Sequence, residues 1–110
     1  MPTVTLSIFG GVGAQFFDGS GNPLTGGKIY SYQAGTTTPL ATYTSSSGVS
    51  THTNPIILDS AGRVPSGGEI WLNYLYLYKF VLADANDVTI ATYDNVGSSF
   101  NASPIIANLL

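Results

Sequence analysis

The chain has 110 residues, enough for one domain with a modest core. Charged residues make up 8% of it, against about 25% in an ordinary soluble domain, with three basic and six acidic side chains for a net charge of −3. The scattered cations Lys28, Arg63 and Lys79 argue against nucleic acid, no apolar run approaches the ~18 residues that cross a bilayer, and without cysteine there is no disulfide framework.

So little charge fits a β domain solvated by neutral Thr, Ser and Asn side chains, or, the preferred reading, a subunit that hides much of its surface in an assembly. The start, Met1-Pro2-Thr3-Val4-Thr5, lacks the basic and apolar regions of a signal peptide, so synthesis in a cytoplasm is expected. In residues 1–13, Val4, Leu6 and Ile8 alternate with Thr3, Thr5 and Ser7, and Gly10-Gly11-Val12-Gly13 follows. Such glycines cradle phosphate only when a helix comes next, and Ala14-Gln15-Phe16-Phe17 reads as a strand. The segment is read as an extended arm on a glycine hinge, able to add a strand to a neighbour. Val4, Leu6, Ile8 and Phe9 are its candidate assembly contacts.

Asp18-Gly19-Ser20-Gly21-Asn22-Pro23 is turn chemistry throughout. Its oxygens are spaced like a calcium loop, but the closing bidentate Glu is missing. From Gly26-Gly27, the residues Lys28, Tyr30 and Tyr32 alternate with Ile29, Ser31 and Gln33, which predicts a strand. Ala34-Gly35 breaks it, and Leu40-Ala41-Thr42-Tyr43 starts another. After a polar turn at 44–48, Val49 to Thr53 reads as a short strand or loop. His52, the chain's one histidine, has no second histidine or cysteine to orient or co-ligate it and reads as an exposed polar residue.

Asn54-Pro55-Ile56-Ile57-Leu58 is a short apolar strand, and Asp59 to Arg63 a turn whose ends can pair. Glu69-Ile70-Trp71-Leu72 opens the most hydrophobic part. Asn73 to Leu82 then alternates, with Tyr74, Tyr76, Tyr78 and Phe80 on one face and Leu75, Leu77, Lys79 and Val81 on the other. This predicts one long strand, one face in the core and the other against a second sheet or a neighbouring subunit. A second reading makes the tyrosine row, with Trp71, a sugar-stacking platform in a carbohydrate-binding or adhesin module. Ala83 to Asp87 is a hairpin turn, and Val88 to Tyr93 the returning strand. Three apolar strands thus run into Asp-led turns, at Asp18, Asp59 and Asp84.

Past Gly97, Ser103 and Pro104 read as helix cap and first helical residue. Ile105 with Leu109, and Ile106 with Leu110, share a helix face and are further candidate assembly contacts. The predicted fold is all-β: a small antiparallel β-sandwich-like domain over 14–96, an extended N-terminal arm over 1–13, and a connector with a short C-terminal helix, or the start of a stalk, over 97–110. Asp59 and Glu69 could approach each other, but both sit beside turns with no histidine or second carboxylate motif nearby, so catalysis is not expected, nor is a cofactor or metal.

Several segments together resemble a known family. They are Gly27-Lys28-Ile29-Tyr30, then Asn54-Pro55-Ile56-Ile57-Leu58 running into Ala61-Gly62-Arg63, then Tyr78-Lys79 with Asp84-Ala85-Asn86, and finally Asp94-Asn95-Val96. In order and spacing, over roughly residues 14–96, they resemble the N-terminal head-binding domain of tailspikes and tail fibres from short-tailed phages. The resemblance implies a homotrimeric, non-catalytic virion domain that joins a fibre or spike to portal or tail adaptor proteins. Relatives carry a Gly-containing turn before the Tyr-Lys pair, where this chain has Asn73-Tyr74-Leu75-Tyr76-Leu77.

Overall fold

A computed structural model of the chain describes residues 3–97. These residues are all-β and contain no helix; the predicted C-terminal helix lies outside them. The strands are β1 (Val4–Leu6), β2 (Lys28–Gln33), β3 (Thr42–Tyr43), β4 (Ile56–Ile57), β5 (Trp71–Asn73), β6 (Tyr78–Ala83) and β7 (Thr89–Val96). They form two antiparallel sheets, ordered β1-β5-β3 and β4-β2-β6-β7.

β2 sits inside the larger sheet and follows its period-2 pattern. Ile29 and Ser31 are buried and pair with Leu82 and Phe80 of β6, while Lys28, Tyr30 and Tyr32 point the other way. The core joins Ile29, Ile56, Tyr78, Phe80 and Leu82 from this sheet to Leu72 of β5, with Leu24, Leu58, Val64 and Ile70 from the connections. Phe9 stacks on Phe80, their ring centres 4.7 Å apart, and also meets Phe16 and Tyr93. Each fully buried side chain of this size contributes about 1.5–3 kcal/mol relative to exposure.

Two expectations are corrected here. The N-terminal segment is not a free arm: β1 pairs with β5 of its own chain, Val4 opposite Asn73 and Leu6 opposite Trp71. Val4 is buried there, Ser7 N donates to the Ile70 carbonyl, and Gly10 lies so close to Ile70 that an added Cβ would sit 2.5 Å from its Cδ1. Apolar residues on either side of the glycines have a core to enter, which holds the segment down.

The long strand over Asn73 to Leu82 is also corrected. β5 ends at Asn73, a turn follows, and β6 begins at Tyr78 in the other sheet. The Tyr78 hydroxyl spans this crossing, accepting from Asn73 N at 3.0 Å and donating to the Ala41 carbonyl at 2.6 Å. Burial pushes its phenol up to about 12.

Candidate assembly surface

The turn between the sheets is built by Asn73. Its side-chain oxygen accepts from Leu75 N at 3.0 Å, and its carbonyl accepts from Tyr76 N at 3.2 Å. A side chain that folds back on the amide two residues on mimics a backbone turn, so no glycine is needed. Two more strands of chain brace the turn: Tyr74 N donates to the Thr3 carbonyl, and Ala34 N to the Leu77 carbonyl.

The outcome is an apolar end to the domain. Leu75 is 67% exposed and Leu77 52%, with Tyr74 and Tyr76 also exposed. Gly97 sits against this turn, where an added Cβ would be 3.2 Å from Leu77 Cδ2. Both limits of the described chain, Thr3 and Gly97, therefore lie beside Tyr74–Leu77.

The predicted assembly contacts divide accordingly. Val4 is buried, Leu6 is half-buried and Phe9 packs against the core, so the domain itself covers much of these three. Ile8 stands 79% exposed. Ile105, Ile106, Leu109 and Leu110 lie outside the described residues. Leu75 and Leu77 were missed, because they read as one face of a strand. The signal that finds them is Asn73, a turn-former directly after three core-pattern residues.

The tyrosine row does not exist as a surface. Tyr78 and Phe80 are fully buried, while Tyr74 and Tyr76 belong to the turn. Trp71 is half-buried, its Nε1 donating to Glu69 Oε1 at 3.1 Å. The aromatic pair on the outer sheet face is Tyr30 with Tyr32, parallel rings 6.1 Å apart. Lys79 Nζ lies 5.4 Å over the Tyr32 ring, and the Tyr30 hydroxyl donates to Asp87. That hydrogen bond raises the Tyr30 phenol above its usual value. Lys28 Nζ joins the cluster 3.9 Å from Asp87. Tyr30, Tyr32 and Lys79 make these contacts while remaining half-exposed.

The opposite end of the larger sheet, about 17 Å away along β2, carries the three Asp-led loops. They share one geometry. In each, the Asp Oδ1 accepts from the amides two and four residues on: Ser20 and Asn22 for Asp18, Ala61 and Arg63 for Asp59, Asn86 and Val88 for Asp84, all at 2.9–3.0 Å. The residue three positions on is left-handed in every case: Gly21, Gly62 and Asp87. These carboxylates close backbone loops. The expected Asp59–Arg63 pairing is replaced, since the Arg63 guanidinium donates instead to the Gly13 carbonyl and Gln15 Oε1.

His52 is buried, against the exposed position expected. Its Nε2 lies 2.7 Å from the Glu69 carbonyl oxygen, and burial holds the ring below the usual histidine value. Among the described residues no three His, Cys, Asp or Glu side chains gather as a metal-holding group, and no helix is long and apolar enough to cross a membrane. Comparison with known families found no family model that matches the chain, and comparison with curated proteins found no match.

Proposed function

We propose that this chain is a virion structural protein: the anchor domain that attaches a tail fibre or tailspike to the portal or tail adaptor region of a phage particle. On this reading it is a small β-sandwich-like domain that works by homotrimeric assembly, without catalysis, in the tail or collar of the particle. The observation that carries the reading is the apolar end at Tyr74–Leu77, set beside Gly97, the last described residue. A domain that holds an appendage needs an uncharged contact surface at the root of the segment leading to it. The resemblance of residues 14–96 to phage head-binding domains supports the same conclusion. So does the 8% charge, too little to coat a freely diffusing monomer in the usual way. The carbohydrate-binding alternative loses its platform, because the tyrosine row is split between core and turn.

The test uses the full chain. Its mass in solution should be that of three copies, and it should co-sediment with purified portal–tail complex of the encoding phage while leaving a glycan array unlabelled. A stable monomer that binds glycans and ignores the particle overturns the proposal.

A further inference from the structure

Turns ordinarily recruit Gly, Pro, Asn, Asp and Ser. Here Asn73 alone supplies that chemistry, through its carbonyl and its side-chain oxygen. Positions 74–77 are thereby relieved of any turn requirement, and nothing in the local backbone selects apolar side chains there. The sequence nonetheless places Tyr-Leu-Tyr-Leu at an exposed tip. No charge interrupts the run. The adjoining residues 34–39 carry none either, and the nearby Asp94 already accepts from Gly35 N and Asn95 N.

Gly97 lies against Leu77, so residues 98–110 begin at this turn. That segment has no charged side chain and includes Ile105, Ile106, Leu109 and Leu110. In a closed assembly whose copies run these segments together, the turns at their roots are brought together as well.

We infer that the Asn73–Leu77 turn is a self-contact, occupied by the equivalent turns of further copies of this chain around the assembly axis, with Leu75 and Leu77 as the buried anchors. The inference takes from the anchor reading only that the chain assembles with itself, and adds where on the domain it does so.

The test measures the mass of the full chain by light scattering over a concentration series, for the wild type and for L75S/L77S. Thermal melting checks that both are folded. The double substitution should weaken self-association about 100-fold. A folded variant that keeps the wild-type mass overturns the inference while leaving the anchor reading intact, whereas a monomeric wild type removes both. Photocrosslinking of Tyr76→p-benzoylphenylalanine gives an independent readout. Products at multiples of the chain mass support the self-contact. Crosslinks confined to residues 98–110 of the same chain overturn it.

Discussion

The carboxamide of Asn54 holds both backbone groups of Ser31, accepting from its N–H at 3.0 Å and donating to its carbonyl at 2.8 Å. β4 pairs with β2 only at Lys28 and Ile29, so this side chain continues the ladder where the strand stops. Ser31 also ties in Leu40, whose N–H donates to its carbonyl and whose carbonyl accepts from its hydroxyl. Removing the carboxamide strips partners from a buried strand. Asn54→Ala should lower stability by about 1–3 kcal/mol, read as a shifted urea midpoint with unchanged slope. Asn54→Asp should cost more, because it sets a second acceptor against the Ser31 carbonyl. Equal midpoints for Asn54→Asp and the wild type would remove this role.

The three Asp-led loops differ in what surrounds their left-handed residue, and that difference is measurable. At Gly62 the backbone has φ 73° and an added Cβ would lie 2.3 Å from the Phe16 carbonyl oxygen and 2.8 Å from Leu24 N. At Gly21, φ is 83° but the space is open. Gly21→Ala should therefore cost only the backbone strain, about 1–2 kcal/mol. Gly62→Ala should cost at least about 3 kcal/mol, since two pieces of backbone that hydrogen-bond there must separate. Similar denaturation midpoints for the two variants would show that the packing of residues 16–24 against 59–63 is loose.

Period-2 patterning was enough to find β2, because one face is core and the other is not, and Lys28, Tyr30 and Tyr32 alternate with buried Ile29 and Ser31. It failed over Asn73–Leu82. Tyrosine and leucine keep strand-like alternation through the turn, and alternation is blind to one Asn side chain capturing Leu75 N. The pairing of β1 is not legible locally, because its partner, β5, is some seventy residues away in sequence and no local pattern encodes it. The shared chemistry of the Asp loops was legible at Asp18, Asp59 and Asp84, but their common geometry depends on the left-handed third residue, which is Gly twice and Asp once. The candidate surface is half legible: low charge goes with exposed apolar side chains, but the place of Leu75 and Leu77 among them depends on the turn.

Tyr78→Phe tests the link between the sheets. It leaves Asn73 N and the Ala41 carbonyl without the hydroxyl that serves both, at a position where Tyr78 itself is fully buried. A loss of about 1–3 kcal/mol is expected, with a melting temperature lower by roughly 5–15 °C. The substitution keeps the ring and its parallel contact with Phe80, so the loss is assigned to the hydroxyl. A melting temperature within a degree of wild type would mean that the two sheets are held by apolar packing alone.

His52 should make the fold sensitive to acid. A carbonyl only accepts, so the ring donates from Nε2 to the Glu69 oxygen, and a second proton must go to Nδ1. Burial lowers the folded-state value below 6.5, while the unfolded chain keeps the ordinary one. Above the unfolded value both states are neutral and stability does not depend on this group. As pH falls through it, the unfolded chain binds the proton first, and stability declines until the folded-state value is reached. His52→Gln keeps an amide donor for the Glu69 carbonyl but cannot titrate. The wild-type melting temperature should therefore fall faster than the variant's between about pH 7 and pH 5. Parallel profiles over that range would show that the buried ring takes up its proton without cost, and burial would then not be what sets its ionisation.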